Sequence, residues 1–557
     1  MTVSFVNILV ALVVLGVMLR LTGKLWQRLQ LSLAKNPSLG GHLRWAKRIA
    51  RRIPGYSYPT ERWFAIDDAP TDIAQKRRLG LTSLGQDLTG RSPLTLRQTA
   101  ESKKMIADLQ FISQYRVPYQ FRDVLQQHIQ IGSFMQSSDG VWLTDMDGVR
   151  LIDVTGSYGV NVFGQDFYKS CIEEGSAKAQ ALGPVLGAYH PCVLDNIERL
   201  CAISGKDQIS FHMSGTEAVM QAVRVARYQT GRNKIVRFTG AYHGWWDDVQ
   251  PGPGNPMPPS KDTLTLRELH ANTLRVLRNR KDIACVLVNP LQAMHPNQAA
   301  PTDNTTVDGS RRAHYDRASY TQWLRTLREI CTEKGIALIF DEVFMGFRLA
   351  RGGAQEYFGI QADIVTYGKT LGGGLPIGVV CGQDKWMSRF RNDRPGDICF
   401  ARGTFNAHPY VMGAMNVFLH RLDNEDVLNI YRNLDETWLA RKAKLNDRFK
   451  QLGLPLRVEA MSTVWTVLFD VPSRYNWLLQ FYMRREGIAL SWVGTGRLIF
   501  SLNFSEEDFD MLAERFVLAA QKMSADGWWW TPVGQTNKHI KRQILKEMLR
   551  QYWRKAK

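Results

Sequence analysis

The sequence predicts an α/β fold built around a mainly parallel sheet. Between about residue 130 and residue 525, short apolar runs alternate with helical stretches. The runs are of strand length and apolar throughout, as strands buried on both faces must be. They are IVRF (235–238), ACVLV (284–288), IALIF (336–340), DIVTYG (363–368) and GVVCG (378–382). Such alternation favours a sheet covered by helices, in which ligands bind beyond the carboxyl ends of the strands.

Length and composition are those of a globular protein. A chain of 557 residues is too long for one ordinary domain and long enough to bury one or two large cores. The seven cysteines form no C-x-x-C pair, and an odd number without framework spacing indicates reduced thiols. We therefore expect neither a disulfide scaffold nor a metal site.

The net charge of +19 is concentrated at the two ends of the chain. Residues 1–60 carry nine basic residues and no acid, and residues 538–557 carry eight basic residues and one acid. The central region is therefore close to neutral. This distribution argues against nucleic acid as a partner, although the total charge alone would suggest it.

The N-terminal segment predicts a membrane anchor. Residues 3–19 contain no charge, and only Ser4 and Asn7 are clearly polar. As a helix this run would reach roughly 25 Å, the short end of what spans a bilayer. A cleaved signal peptide fits less well because no basic residue precedes the run and no A-x-A-like site follows it; a buried core helix is the other alternative. The positive-inside rule places Arg20 onward in the cytoplasm, which predicts a single-pass protein of the inner, cytoplasmic membrane.

Two further terminal segments have an amphipathic or aromatic character. Residues 42–55, HLRWAKRIARRIPG, place Trp and Ile on one helical arc and five Arg and Lys on the other. This pattern suits an interfacial helix, or a surface helix docked on the enzyme body. At the other end, tryptophans 528–530 precede a basic helix whose features suit either lipid headgroups or a partner subunit. Residues 56–100 contain several prolines without sustained periodicity and are predicted to form an extended connector arm.

Polar and glycine residues follow two of the predicted strands. Ser214, Gly215 and Thr216 open a helix that continues to about residue 230. The unpaired amides of such a helix start bind phosphate, although S-G-T-E is equally a good helix cap. Tyr242 and His243 come directly after a strand. The tyrosine is a candidate to cover a flat ring, or else a core residue.

Asp341 and Lys369 are the candidate chemical groups. Asp341 ends an apolar strand and requires a partner, for which a protonated pyridine nitrogen, a turn amide or an arginine would serve. Lys369 follows a strand and precedes three glycines (372–374). Desolvation would lower its pKa, as a lysine that reacts with carbonyl groups requires. A phosphate loop of the G-x-x-x-x-G-K-[ST] type is the rival, but here the glycines come after the lysine.

Together and in this order, these segments resemble the class III aminotransferases that depend on pyridoxal 5'-phosphate (PLP). Within them the chain is most similar to glutamate-1-semialdehyde aminomutase-like enzymes and to the aminotransferase domains of polyketide and peptide synthases. The matching segments are SGTEA with VRVARYQTGRNKIVRFTGAYHG, FDEVFMGFR, GGAQEYFGIQADIVTYGKTLGGGLPIGVVCG and RGTFNAHP, and the resemblance covers about residues 130–525. It implies PLP-dependent transferase fold type I, with a large domain around a mainly parallel sheet and a smaller α+β domain.

The resemblance also implies a domain organisation. The predicted units are a transmembrane anchor (1–22), a basic helix with a connector arm (23–125), the N-terminal part of the small domain (126–170), the PLP-binding large domain (171–405), the C-terminal small domain (406–525) and a basic amphipathic C-terminal helix (526–557).

The resemblance implies a role for each matching position. Lys369 matches the lysine that binds the cofactor covalently, and Asp341 matches the carboxylate that keeps the pyridine nitrogen protonated. Val343 and Tyr242 match the residues on the two faces of the ring. The other positions expected to bind the cofactor are Ser214, Gly215, Thr216, His243 and Thr404. Thr404 matches a threonine that reaches the phosphate in the neighbouring subunit, which implies a homodimer.

Two departures concern the substrate. Asn289 stands where the family usually has a glutamate before a proline, which puts a donor–acceptor switch in doubt. Arg497 stands where relatives carry an arginine that could hold a substrate carboxylate, but the adjoining prolines are absent. The expected function is amino transfer from an amino donor to a carbonyl acceptor, lipidic or carrier-bound. The alternatives are an aminomutase and a non-catalytic membrane scaffold.

Overall fold

The computed structural model describes residues 5–38, 42–115, 117–250, 252, 254–298, 309–491 and 497–555. Val3 and Ser4 of the predicted anchor therefore lie outside the described residues. The helices are α1 (Phe5–Ala34), α2 (Leu43–Ala50), α3 (Thr60–Phe64), α4 (Thr71–Arg91), α5 (Pro93–Lys103), α6 (Ala107–Tyr115), α7 (Arg122–His128), α8 (Gln165–Ala179), α9 (Cys192–Ser204), α10 (Gly215–Thr230), α11 (Ala271–Asn279), α12 (Arg317–Lys334), α13 (Gly353–Phe358), α14 (Asp384–Met387), α15 (Pro409–Arg421), α16 (Glu425–Arg432), α17 (Leu434–Gln451), α18 (Leu479–Arg485), α19 (Glu506–Ala525) and α20 (Asn537–Lys555).

The strands are β1 (Met135–Asp139), β2 (Trp142–Asp145), β3 (Arg150–Asp153), β4 (Gln208–His212), β5 (Lys234–Phe238), β6 (Thr263–Leu266), β7 (Ile283–Val288), β8 (Ala337–Asp341), β9 (Ile364–Gly368), β10 (Gly378–Gly382), β11 (Leu456–Met461), β12 (Val464–Phe469), β13 (Ile488–Ala489) and β14 (Arg497–Ile499). All five apolar runs are strands, so the α/β prediction is confirmed.

The central sheet positions the candidate site. Its strand order is β4-β10-β9-β8-β7-β5-β6 within the described residues. β9, β8, β7, β5 and β6 run parallel, whereas β10 is antiparallel to both of its neighbours. β7, β8 and β9 are buried along their whole length, because helices cover both faces. The carboxyl ends of β8 and β9 deliver Asp341 and Lys369 to the same edge of the sheet.

Two smaller sheets lie outside the central one. β1, β2 and β3 pair with β13, and β11, β12 and β14 form the other sheet. The parallel pairing of β13 with β3 joins a segment that precedes the central sheet to one that follows it. The division of the chain into domains at the boundaries given above stays a prediction.

The interpretation of residues 56–100 as an extended connector is wrong. This segment contains α3, α4 and α5, and Leu81 and Leu84 of α4 are fully buried. Its prolines are located at helix starts: Pro59 and Pro70 precede α3 and α4, and Pro93 is at the first turn of α5. Proline is tolerated there because those backbone positions need no hydrogen-bond donor.

The tryptophans before α20 belong to the protein core rather than to a headgroup layer. Trp528 and Trp529 are buried, in a cluster of aromatic rings that includes Trp63 and Tyr475. The buried guanidinium of Arg77 donates to the carbonyl oxygens on both sides of this turn, Gly527 (3.0 Å) and Trp530 (3.2 Å). The sequence pattern missed this because the ring partners come from the opposite end of the chain.

The N-terminal helix is longer than predicted. α1 continues to Ala34, and within Asn7–Ala34 an 18-residue window with a mean hydropathy of 2.1 is not buried, which makes the helix a candidate membrane span by length and composition. A signal sequence passes the same test. The C-terminal end of α1 is attached to the enzyme body, where the Arg267 amide donates to the Ala34 carbonyl (2.9 Å).

α2 is shorter than the predicted amphipathic segment and ends at Ala50, four residues before Pro54. Trp45 and Ile49 are exposed, while Lys47 is buried and donates to the Met257 carbonyl. α2 therefore contacts the body through a cationic residue, and its apolar face points outward.

All seven cysteines of the chain are free thiols.

Candidate active site

Lys369 stands at the carboxyl end of β9, at the start of a 3-10 turn over Lys369–Gly372. Its backbone is left-handed, with φ of +48°, a conformation that a lysine rarely adopts and that is typical of strained functional positions. Burial lowers the pKa of the Lys369 ammonium below its usual value, and the nearby Asp341 carboxylate opposes this shift. Lys369 therefore carries an amine that is easily deprotonated.

The neighbours of Lys369 hold the turn in place. Tyr168 and Thr370 are buried and hydrogen-bonded through their hydroxyl groups, and Tyr168 also accepts from the Val162 amide (3.0 Å). Gly159 faces the lysine so closely that a β-carbon there would lie 3.3 Å from Lys369 Cδ. These contacts fix the direction of the lysine side chain.

Asp341, the last residue of β8, is 3% exposed and bound on both oxygens. Its Oδ2 lies 2.7 Å from His243 Nδ1, and its Oδ1 accepts from the Val343 amide (3.2 Å). Because a carboxylate can only accept, Nδ1 is the protonated nitrogen of the histidine. Burial lowers the pKa of His243 and the Asp341 carboxylate opposes that shift, so a neutral ring faces an anionic acid.

The start of α10 forms a close cradle with β8 and β9. Ser214 is the N-cap, and its hydroxyl accepts from the Glu217 amide (3.3 Å). A β-carbon on Gly215 would lie 2.5 Å from Val343 Cγ1, and one on Gly368 would lie 3.2 Å from the same atom. The Val343 side chain is thus located between the helix start and the end of the lysine strand. Only glycine permits this approach at position 215.

The loop that carries Tyr242 and His243 packs on the same helix start. A β-carbon on Gly244 would lie 2.5 Å from Thr216 Oγ1, and Gly244 has a φ of +92°. The Tyr242 ring is 58% exposed, and its carbonyl accepts from Asn289 Nδ2 (2.8 Å). Asn289 Oδ1 also accepts from the Leu291 amide (3.2 Å). Asn289, which stands where the resemblance leads us to expect a glutamate, therefore supports the backbone at Tyr242 and Leu291.

Thr404 and Arg497 share no hydrogen bond with Asp341 or Lys369 within the described residues. Thr404 is exposed on the segment that precedes α15, and within the described residues no hydrogen bond joins it to Asp341 or Lys369. Arg497 begins β14, and burial lowers its pKa to about 10. Its strand partner Thr466 binds His295 Nε2 (2.9 Å). Most of the site residues predicted from the sequence therefore lie together around Lys369 and Asp341. For Thr404 and Arg497, no hydrogen bond to those two residues is present within the described residues.

Three residues of the site were missed. Thr366 on β9 is buried beside Asp341, with its hydroxyl 3.5 Å from Oδ1. The Phe344 ring lies 5.8 Å from Lys369 Nζ. Glu342 is buried and accepts from the amides of Ala354 (2.6 Å) and Gln355 (3.2 Å), and burial raises its pKa to about 8. The signal for Glu342 was present, because a second acid directly after Asp341 must point to the opposite side of the strand end.

The cluster fits pyridoxal phosphate. A phosphate needs free amides at a helix start, which α10 offers beside Gly215 and Thr216. A protonated pyridine nitrogen needs a buried carboxylate, and Asp341 is a buried carboxylate whose position His243 holds. Val343 offers an apolar surface for one ring face, and Lys369 offers an amine of lowered pKa.

Comparison with known proteins agrees with a site for pyridoxal phosphate. The profile of the family described as aminotransferase class-III matches residues 124–250 and 307–520, well over half of the chain. The chain belongs to the class III aminotransferase family. Glutamate-1-semialdehyde 2,1-aminomutase from Flavobacterium johnsoniae is 34% identical over 355 residues, which are 60% of this chain and 76% of that protein. The enzyme of the same name from Geotalea daltonii is 29% identical over 420 residues, 70% of this chain and 90% of its own length.

Solved structures of class III enzymes share the fold. A β-phenylalanine aminotransferase from Variovorax paradoxus aligns with a TM-score of 0.63 and 26% identity, over 81% of this chain and 98% of that one. A transaminase solved with PLP bound aligns with a TM-score of 0.59 and 27% identity, over 71% of this chain and 92% of that one. This class III aminotransferase is therefore a PLP-dependent enzyme, and the scaffold hypothesis is set aside. The helices α1 to α6 and α20 lie outside the family match.

Proposed function

We propose that this chain is a membrane-anchored aminotransferase that moves an amino group from an amino donor to an aldehyde or ketone acceptor. The observation that carries the proposal is the joint placement of Lys369, Asp341 and His243 at one edge of the central sheet. Bound PLP supplies an electron sink for the bonds at the substrate carbon. The residues around it supply proton transfer, orientation and charge.

Lys369 is the proposed catalytic base. Its lowered pKa keeps a fraction of the amine free of a proton near neutral pH, and an amine in that state accepts the proton from the substrate carbon. The left-handed backbone and the contact with Gly159 hold Nζ in a defined direction, so that the same nitrogen can return the proton to a second position. Phe344 beside it excludes water from this face.

Asp341 is proposed to hold the proton of the cofactor ring nitrogen, with His243 as its positioning residue. The proton on His243 Nδ1 stabilises the carboxylate, and the buried ring fixes the rotation of the side chain. Val343 and Tyr242 are proposed to cover the two ring faces, and Ser214, Gly215 and Thr216 to bind the phosphate. Thr404 is proposed to act across the interface of a homodimer, for which its exposed side chain is suited.

The membrane part of the proposal is supported by α1 and α2. The apolar 18-residue window of α1 is not buried and is about 27 Å long, close to the thickness of a bilayer core. α2 presents Trp45 and Ile49 to the outside beside several arginines, as an interfacial helix does. The proposal places the enzyme on the cytoplasmic face of the inner membrane. Fractionation tests this: removal of residues 1–38 together with α2 should release the protein, and a protein that is soluble with both segments present would contradict it.

The alternative function is an aminomutase, which moves the amine within one molecule. It is favoured by the name of the relatives from Flavobacterium johnsoniae and Geotalea daltonii. Arg497 is a candidate for holding a substrate carboxylate in either reaction.

Separate half-reactions decide between the two. The purified full chain is mixed with single amino donors, and the visible band of the lysine-bound cofactor is followed. A transferase consumes the band with a donor alone and recovers it with a separate carbonyl compound. An enzyme that converts glutamate 1-semialdehyde and is inert to donor and acceptor pairs would contradict the proposal in favour of the aminomutase. The control variant Lys369→Ala should lack the band.

A further inference from the structure

Two cavities adjoin one another beneath α6. The first has a volume of about 350 Å³ and lies among α5, α6 and α7; the second has a volume of about 400 Å³ and extends to the segment after β3. Both volumes are in the range of small-molecule sites. Leu109 and Ile112 of α6 and Ile131 line both cavities, so the two cavities are adjacent to one another around that helix.

The second cavity ends at the turn that touches Lys369. It is lined there by Ser157 and Tyr158, whose φ angles are +44° and +58°. The next residue is Gly159, where a β-carbon would lie 3.3 Å from Lys369 Cδ. Two consecutive left-handed residues other than glycine are a costly backbone arrangement that clusters at functional sites. The second cavity therefore ends one residue along the chain from Gly159, the residue that faces Lys369.

The first cavity has several apolar side chains in its walls and lies close to an apolar part of the surface. Besides α6, its walls include Leu96, Leu125 and Phe481. The turn before α6 exposes Met105 (81%) and Ile106 (45%) directly after two lysines. α6 thus lines a cavity with one side while the turn that precedes it exposes apolar side chains. An exposed apolar turn beside lysines suits contact with an anionic lipid surface.

Among the residues that the structure describes, the charged ones lining the two cavities are cationic: Lys103, Arg122 and Arg484. This charge disfavours a long-chain ammonium ion and is compatible with a neutral chain that ends in a carbonyl group. The helices α5 and α6, which help to line the first cavity, lie outside the family match.

We propose that the two cavities form a channel for the alkyl chain of a long-chain aldehyde or ketone, with α6 as its cover and its carbonyl end toward Lys369. This inference rests on the proposed aminotransferase function and specifies the acceptor class.

The test uses the full chain in nanodiscs, pre-treated with an amino donor and offered straight-chain aldehydes from butanal to dodecanal. The value of kcat/KM should rise by about two- to fourfold for each added methylene until the channel is filled, because each buried methylene contributes apolar transfer energy. A flat profile with active butanal would overturn the channel and leave the proposed function standing. Failure with every aldehyde and every donor would instead contradict the proposed function.

The variant Ile112→Trp fills the channel. It should lower kcat/KM for dodecanal by at least about tenfold, as loss of several buried methylenes does, and change the value for butanal little. Leu79→Trp is the matched control, since Leu79 is exposed on α4 in the same helical region. An equal loss for both aldehydes would overturn the proposal.

A binding measurement makes the test independent of catalysis. Unreactive 1-decanol should bind the full chain in calorimetry, with empty nanodiscs subtracted, and bind the Ile112→Trp variant at least about tenfold more weakly. Leu109→Phe serves as a second variant if Ile112→Trp does not fold. Equal binding by wild type and variants overturns the channel. So does a change of the oligomeric state in the variants with decanol binding unaltered, which would show that a second copy of the chain covers the cavity.

Discussion

His243 Nδ1 lies 2.7 Å from Asp341 Oδ2, and both side chains are buried. The two residues are 98 positions apart, on the loop after β5 and at the end of β8. In a buried setting a hydrogen bond to an anion is strong, and a carboxylate without it would be costly. The pair therefore maintains a charged acid at the point where the proposed cofactor nitrogen lies.

Loss of Asp341 should reduce kcat more than loss of His243. Asp341→Asn is expected to lower kcat by on the order of 10²–10³, because it removes a preorganised charge at the reacting ring. His243→Ala should lower it by roughly 10–100-fold, as loss of an orienting partner does. Stopped-flow half-reactions measure both. His420→Ala is the control, since His420 makes a 2.7 Å pair with Asp195 on the surface; an equal loss there would contradict the assignment.

The apo form should become more stable as pH rises, through Lys369. Its pKa is lowered in the folded chain, so the unfolded chain binds the proton more tightly. Between the folded and the unfolded pKa the unfolded state holds more protons, and stability therefore increases with pH across that window. Lys369→Met should melt at a higher temperature than the wild type near neutral pH, with the difference shrinking toward pH ~10. Thermal melts of the cofactor-free proteins measure this; a constant difference would refute the assignment.

Gly215 and Val343 should be energetically coupled. A methyl group on Gly215 meets Val343 Cγ1 at 2.5 Å, so Gly215→Ala is expected to displace the valine and weaken PLP binding by about tenfold or more. Val343→Ala makes room, and the double variant should recover part of the loss. Equilibrium titration with PLP provides the four affinities of the cycle. Additive effects of the two substitutions would show that the contact does not shape the cofactor site.

Glu547 should hold α20 on the enzyme body. Its carboxylate accepts from the hydroxyls of Tyr56 (3.0 Å) and Tyr58 (2.7 Å) and lies 2.7 Å from Arg62 Nη2. Glu547→Ala removes the acceptor of the buried Tyr58 hydroxyl and of the half-buried Tyr56 hydroxyl, and it should destabilise the protein by about 1–3 kcal/mol. Chemical denaturation measures the loss. Glu514→Ala, on the exposed side of α19, is the control and should change stability by less than about 0.5 kcal/mol.

The sequence by itself determined the central sheet and the candidate chemical groups. Strands buried on both faces are apolar without interruption, and a helix start such as Ser214–Thr216 is specified by residues adjacent in the chain. Parallel strands share one carboxyl edge, so the positions of Asp341 and Lys369 after their strands were sufficient to predict that they lie close together. These patterns involve residues that are close in the chain, so a single sequence is enough to predict the elements that they form.

The tertiary structure alone decided the contacts between distant segments. The pairing of His243 with Asp341, the burial of Trp528 against Trp63 and the anchoring of Glu547 each join parts of the chain that no periodicity relates. The same physical reason explains the error at residues 56–100: prolines at helix starts and prolines in a loop look alike until the buried face of α4 finds its partners. The sequence of a basic amphipathic helix is equally suited to contact with lipid and with protein. In the tertiary structure, the hydrogen bond between Glu547 and Tyr58 shows which part of α20 is held by its own chain.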